Sequence, residues 1–540
     1  MPASQWNFAD VWEHLADRFA DEPALLHGAV VRSWRDFSER SDGVAATLLA
    51  SGLRRQDKVA QYCRNRPEYL ESLFACFKSS LVPVNTNFRY GDGELVYLWQ
   101  DADVAAVVFD AEFTETCERL RGELPGIRCW IRVPRPTGDD GCPAWAVPYD
   151  EAAGSSPVRV RAGWGRSGED LNLLYTGGTT GMPKGVMWQQ HDFFLMLEKQ
   201  YGRRPPEGAD VEGYLGRYTR PGPRVLPGPP LMHGTACWFA MAALSAAGSV
   251  VTLTSTHFDP VELLETVSGR AVKGLCIVGD PFAKPILSEL GSQPGRYDLS
   301  GLRLIMSSGA MLSRESKDRL LHHAPHARLV DGLGSSESGS IGSAAVEQPG
   351  EAATARFRLG DHVRVVDSDY RDVPPGSGVA GRLAVSGHLP VGYYKDPDKT
   401  AATFLTIGGR RFVVAGDWAT VEPDGSITLL GRGSGCINTA GEKVFPEEVE
   451  EVLKRHPSVR DASVVGVPDE RFGEAVIALV EPEEGAHLDE EALLAHAKAH
   501  LAGYKAPRRV LAISQVARHA NGKMDYRLMS QVARSELEDR

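Results

Sequence analysis

Helical and extended hydrophobic patterns alternate along the first part of the chain. Phe8, Val11, Trp12, Leu15 and Phe19 recur at helical spacing behind Asn7, a residue suited to N-capping. Residues 58–62, 81–84 and 104–109 read as short strands, the last apolar throughout, and 67–78 and 93–101 between them carry the helical period. Strand and helix in alternation predict a parallel sheet layered with helices. The alternation resumes after Phe258, with helices over 260–267 and 281–290 and strands over 274–278 and 302–307.

Gly234 to Thr256 is uncharged and long enough for a membrane span, but Ala-Ala-Gly-Ser interrupts it and Val250-Val-Thr-Leu-Thr follows as a strand. A buried helix and a strand are therefore expected, and no span. Residues 134–169 and 204–230 are rich in Pro and Gly and predict a connection and a long surface excursion. Beyond Asp361 the segments are shorter and β-rich, at 363–366, 381–386, 412–414 and 427–430. The texture changes again after Gly431-Arg-Gly-Ser-Gly435. Pro446 opens an acidic-ended helix, followed by strands at 462–467 and 475–480, a helix at 489–501 and a strand at 510–513. The expected fold is α/β: a large N-terminal domain (1–432) of layered α/β subdomains plus a β-rich subdomain, and a small α+β C-terminal domain (433–540).

Composition narrows the function. A chain of 540 residues predicts about three or four domain-sized units. A net charge of -12 argues against general nucleic-acid binding, so any polyanion must be held by a local cluster. The eight cysteines show no Cys-x-x-Cys spacing, which points to buried thiols in a reducing cytoplasm rather than disulfide or zinc frameworks. The N-terminus lacks a basic-then-apolar signal pattern, in keeping with a cytoplasmic protein. Oligomeric state is not legible.

One stretch concentrates phosphate-binding chemistry. The run 171–175 opens into Thr176, Gly177, Gly178, Thr179, Thr180 and Gly181, followed by Pro183 and Lys184. The glycines let backbone amides approach an anion, the threonines add hydroxyl donors, and Lys184 adds a mobile cation. No Gly-Lys-Ser/Thr closes a Walker A spacing, so this is a different polyphosphate loop. A second cluster, Asp331-Gly332-Leu333-Gly-Ser-Ser336-Glu337, follows a strand at 327–330; its hydroxyl and carboxylate suit a substrate contact and Mg²⁺ held by Glu337.

Thr176-Gly-Gly-Thr-Thr-Gly-Met-Pro-Lys-Gly185 resembles the phosphate-binding signature of the adenylate-forming superfamily: acyl-CoA synthetases, adenylation domains and beetle luciferases. Further motifs agree in order. Leu333-Gly-Ser-Ser-Glu337 stands where Tyr-Gly-x-Thr-Glu is usual, with Leu333 in place of the aromatic wall and Ser336 keeping the hydroxyl. The resemblance implies that Gly309 and Ala310 lie against adenine beside Asp331, Gly332 and Leu333. It further implies that Asp417 and Arg432 meet the ribose, His233 sits where acyl group and nucleotide meet, and Lys523 reaches the reacting centre. The nearest group is similar to bacterial fatty-acid or sterol acyl-CoA synthetases.

The implied enzyme is a ligase using ATP, Mg²⁺ and CoA on a small-molecule acid, by way of an acyl-adenylate. Two departures from the pattern matter, the second of them for the acceptor. Gly435 stands at the interdomain hinge where a side chain is usual, and Ala440 replaces the first glycine of Gly-Gly-Glu, which lines the pantetheine passage. Activation of nitrite for diazotisation of an aryl amine and loading of a carrier protein are therefore alternatives. A non-enzymatic nucleotide-binding scaffold is opposed by the presence of Lys184, Glu337, Asp417 and Lys523 together.

Overall fold

The computed structural model describes residues 6–136, 141–178, 181–203, 205–206, 208–350, 356–432, 437–439, 442–469, 473–501, 503–518 and 524–538. Two units emerge. One comprises Met1–Gly178, Met182–Thr354 and Ser386–Thr406; the other is chiefly Ala355–Val385 and Ile407–Arg540.

The first unit holds the predicted alternation. The apolar run near 104 becomes Val104–Asp110, buried at every position as a strand covered on both faces must be. It lies between Lys58–Tyr62 and Cys129–Val133 in a sheet that continues through Val82–Asn85, Leu171–Gly178 and Gly181–Gln189 to the two-residue Gly392–Tyr393 strand. The strands from Leu171–Gly178 to Cys129–Val133 are parallel. A second set runs in the order Val30–Ser33, Pro23–His27, Ser249–Thr252, Arg224–Pro227, Gly274–Ile277, Leu304–Ser308, Arg328–Ser335, Gly339–Val346. Only its two edge pairs are antiparallel.

Helix Pro67–Ser79 is buried on all sides, so its polar residues need internal partners. Lys78 Nζ donates to Glu13 Oε1 at 3.1 Å, Ser38 Oγ at 3.0 Å and Asp42 Oδ2 at 2.9 Å. Glu71 accepts from Arg40 Nε at 3.0 Å. The stretch near 234 forms helix Gly234–Leu244 and the fully buried strand Ser249–Thr252, as its sequence required. Among the described residues no helix is long and apolar enough to cross a membrane. The proline-rich excursion is tied down by Tyr214 of helix Val211–Leu215, whose hydroxyl donates to the Arg203 carbonyl at 2.5 Å. Six of the seven described cysteines are buried free thiols and Cys142 is half-buried; Cys436 lies outside the described residues.

Three sequence expectations need correction. The strand expected to stop at Val330 runs from Arg328 to Ser335, so Asp331, Gly332 and Leu333 are strand residues. Close backbone approach permits this: a Cβ at Gly334 would stand 2.6 Å from the Gly339 carbonyl oxygen. The strand before the glycine loop likewise reaches Gly178. The polar stretch at the C-terminus leads into an unforeseen helix, Tyr526–Glu538, for which the Asp525 carboxylate accepts from the Leu528 amide at 3.0 Å.

In the second unit, antiparallel strands Arg356–Leu359, Ile427–Arg432, Asp417–Val421, Gly381–Val385 and Val363–Val366 form the β-rich part. The α+β part has strands Glu442–Val444, Ile437–Thr439, Gly473–Pro482 and Val459–Asp469, with Arg509–Ala512 paired to Gly473–Pro482. Helices Pro446–Lys454 and Glu490–His500 contribute to one core and Tyr526–Glu538 to another. Along Gly473–Pro482, Val476, Ala478 and Val480 enter the first core, and Ala475, Ile477 and Leu479 the second. This is the period-two side-chain alternation of a strand buried on both faces.

Candidate functional site

The glycine loop is anchored at its base by a residue that no motif singles out. Asn85 accepts from the Tyr175 amide at 2.7 Å and donates to the Tyr175 carbonyl at 2.8 Å. The same Asn85 amide donates to the Met232 carbonyl at 2.8 Å, joining the loop to the segment that carries His233. Tyr175 is buried, and its hydroxyl donates to Asp101 Oδ2 at 2.6 Å. Burial, then this carboxylate, push the phenol above its ordinary pKa, so it stays a donor. Its ring underlies Gly185: a Cβ there would stand 2.6 Å from Tyr175 Cε2. Thr176 follows, half-buried, and Thr179 and Thr180 lie outside the described residues.

A second group gathers where neighbouring parallel strands end, the place at which open α/β sheets bind ligands. Ser308 pairs with Gly332, which brings Gly309 and Ala310 beside the 331–333 segment. Gly309 has φ +95°, a conformation that favours glycine, and its missing Cβ would face Thr235 Oγ1 at 3.6 Å. Thr235 lies in the first turn of the helix that His233 N-caps with its backbone. One turn on, the Trp238 ring lies 5.3 Å from Phe193 and 6.2 Å from Trp188. The Asp331 carboxylate is buried against Lys317 Nζ at 2.7 Å. Burial raises its pKa and Lys317 opposes the rise.

The turn after this strand is held from two sides. Trp188 Nε1 donates to the Ser336 carbonyl at 2.9 Å, and the Tyr393 hydroxyl donates to Glu337 Oε1 at 2.8 Å. The Lys184 ammonium pairs with Asp396. Lys184 and Glu337, far apart in the chain, thus meet the two ends of one four-residue segment, Tyr393 to Asp396. Asn85, Tyr393 and Asp396 are the residues that motif reasoning missed.

Asp417 and Arg432 belong to the second unit, where they oppose each other on adjacent strands, and Asp417 is buried. Gly431, at φ +125°, lies so near Glu447 that a Cβ would stand 2.1 Å from its carboxylate. It is the positive φ, a conformation that side-chain-bearing residues rarely adopt, that favours glycine there. Lys523, Gly435 and Ala440 lie outside the described residues.

The family model described as AMP-binding enzyme matches residues 12–394, and that of the AMP-binding enzyme C-terminal domain matches 448–523. A relative from Mycolicibacterium smegmatis, named medium/long-chain-fatty-acid--CoA/3-oxocholest-4-en-26-oate--CoA ligase, is 39% identical over 99% of this chain and 97% of its own. The 3-oxocholest-4-en-26-oate--CoA ligase of Rhodococcus rhodochrous is 37% identical, covering 96% of this chain and 95% of its own. Among solved structures, ATP-bound MatB from Rhodopseudomonas palustris superposes with a TM-score of 0.78 at 25% identity, covering 98% of this chain and 99% of its own. The anthranilate CoA ligase AuaEII superposes at 0.83 and 21% identity, over 99% of each chain, and bears on the fold alone.

Proposed function

The chain belongs to the AMP-binding enzyme family, and from that premise we propose that it activates a carboxylic acid with ATP as an acyl-adenylate and transfers the acyl group to CoA. The observation that carries this reading is full-length identity of 37–39% to relatives named as CoA ligases. Those names favour CoA over nitrite or a carrier protein as the partner in the reaction. They also favour a fatty acid or a sterol side-chain acid as the substrate.

In this reading Lys184 and the loop hydroxyls hold the β- and γ-phosphates, and Gly309, Ala310 and the 331–333 backbone receive adenine. Asp417 and Arg432 take the ribose. Glu337 suits Mg²⁺: it is a hard oxygen donor, oriented through Oε1 by the Tyr393 hydroxyl. The ion, when bound, would offset phosphate charge. The acid's oxygen attacks the α-phosphorus in line, pyrophosphate leaves, and Lys523 stabilises the charge that develops. The CoA thiol then attacks the acyl carbonyl and AMP departs. His233 and Trp238 border the acyl side, and residues 433–540 form the moving domain that brings Lys523 in. Reliance on ATP and CoA fits a cytoplasmic enzyme.

The test is pyrophosphate release and acyl-CoA formation across fatty, sterol side-chain and aromatic acids and nitrite, each with and without CoA. Thioester from fatty or sterol acids is expected. Pyrophosphate release without any thioester would overturn the choice of acceptor, and no release with any acid would overturn the ligase reading.

A further inference from the structure

The segment Tyr393 to Asp396 is built rigidly beside the glycine loop. Its strand pairs with the loop's exit strand, Gly392 opposite Met187 and Tyr393 opposite Val186. The Tyr394 amide then donates to the Gly185 carbonyl at 2.8 Å. Asp396 follows at once as N-cap of helix Pro397–Thr403, with Pro397 in its first turn. Its Oδ1 accepts from the Lys399 amide at 2.9 Å, and its carbonyl accepts from Thr400 Oγ1 at 2.7 Å. A Cβ at Gly392 would stand 2.5 Å from Thr400 Cγ2, so the turn between strand and helix is also close-packed.

The Asp396 carboxylate is therefore fixed by its own backbone surroundings. One oxygen caps the helix and the other, Oδ2, meets the Lys184 ammonium. The two side chains are 23% and 38% exposed, which leaves the pair open to water and to an incoming anion. The contact with Lys184, and then the Lys399 amide, hold the Asp396 carboxyl below its ordinary pKa. A single carboxylate is a weak rival for a polyphosphate, yet it occupies the same cation.

We propose that Asp396 is a positioning residue of the nucleotide site, an internal anion that holds Lys184 in place and is exchanged for phosphate oxygens when ATP binds. The inference rests on the function proposed above. Asp396 lowers affinity for ATP and for departing pyrophosphate together, because both must displace it. It thereby eases product release while keeping the lysine aimed at the loop.

Equilibrium binding of MgATP and of inorganic pyrophosphate to the full-length protein tests this, with unfolding midpoints measured alongside. Asp396→Asn and Asp396→Ser remove the charge but retain N-cap ability. Both are expected to bind both ligands about two- to fivefold more tightly, the range set by an exposed ion pair. Asp398→Asn, which removes a neighbouring charge at the same helix end, should leave affinity unchanged. In a Lys184→Met background the gain from Asp396→Asn should vanish. Unchanged or weaker binding by both folded variants, or a gain that survives in Lys184→Met, would overturn the proposal. Failure of both variants to fold would assign Asp396 to the helix cap alone and overturn it too. If the unmodified protein binds neither ligand, the nucleotide reading falls and the proposal with it; if it binds both, only the proposal is at stake.

Discussion

The Asp331 carboxylate and the Lys317 ammonium stand 2.7 Å apart with both side chains almost wholly buried. Removing the carboxylate takes a buried charge from beside the Lys317 ammonium, so Asp331→Asn is expected to destabilise the first unit by about 3–5 kcal/mol. Adding Lys317→Met should recover part of the loss if this charge pair is its cause. Urea unfolding of the single and double variants measures this. A double variant no more stable than the single would count against the pair as the cause.

Gly185 is required by the ring beneath it. The Tyr175 ring cannot swing aside, since Asp101 holds its hydroxyl and Asn85 its backbone. Gly185→Ala should therefore cost about 1–3 kcal/mol from overpacking. It should also raise the KM for ATP, because relief of the clash displaces the loop. Stability within about 0.5 kcal/mol of the unmodified protein would show that the ring yields easily.

Lys523→Ala is expected to lower the rate of adenylation by about two to three decades, the usual effect of losing one transition-state charge contact. ATP affinity should stay near normal, since Lys184 and the loop carry the ground-state phosphate contacts. Single-turnover pyrophosphate release with a separate ATP-binding measurement resolves the two. Undiminished adenylate formation would remove Lys523 from the mechanism.

Acid should loosen the C-terminal α+β part through Asp461. Its carboxylate accepts from Arg518 Nη2 at 2.9 Å and meets Lys454 Nζ at 3.1 Å. Burial alone would raise its pKa, but these two cations outweigh burial and hold it below the ordinary value. A depressed folded-state pKa gives stability that is present above the unfolded pKa and lost as pH falls through the folded one. Asp461→Asn should then cost about 1.5–3 kcal/mol at neutral pH. The difference should shrink on acidification below pH ~3.9, the pKa of an unperturbed Asp. A difference that does not change between neutral and strongly acidic pH would rule out the charge as its source.

What the sequence disclosed was local. The buried strand at 104 and the two-faced strands near 465 and 477 are written in runs of neighbouring residues. So are the helix at Pro446 and the glycine loop. What it withheld depends on contacts across long separations. Asn85 and Tyr175 are 90 positions apart, and Lys184 and Asp396 are 212 apart. Nothing in periodicity announces either. Asp331 is a further case: the motif marks its position, but not the buried pair it makes with Lys317 on another element. The terminal helix is a different case. Tyr526, Met529, Val532 and Ala533 carry its apolar face into the second core, a pattern present in the sequence but overshadowed by the polar residues before it.

The strand Gly473–Pro482, which feeds two cores by turns, has a consequence for how its pairing is chosen. Where one face of a strand meets water, a one-residue slip exposes apolar side chains and is rejected by polarity. Here a slip would only trade one apolar set for another, so polarity cannot correct the error. Polar contacts at the margins of the sheet then carry more of the discrimination. Glu450, buried, accepts from the Val464 amide at 2.9 Å and from the Tyr526 hydroxyl at 3.2 Å. It thereby caps a free amide on the outer strand Val459–Asp469. A carboxylate beside the sheet thus tethers its outer strand to two helices, and a strand shifted there would lose that tether while both interiors stayed dry.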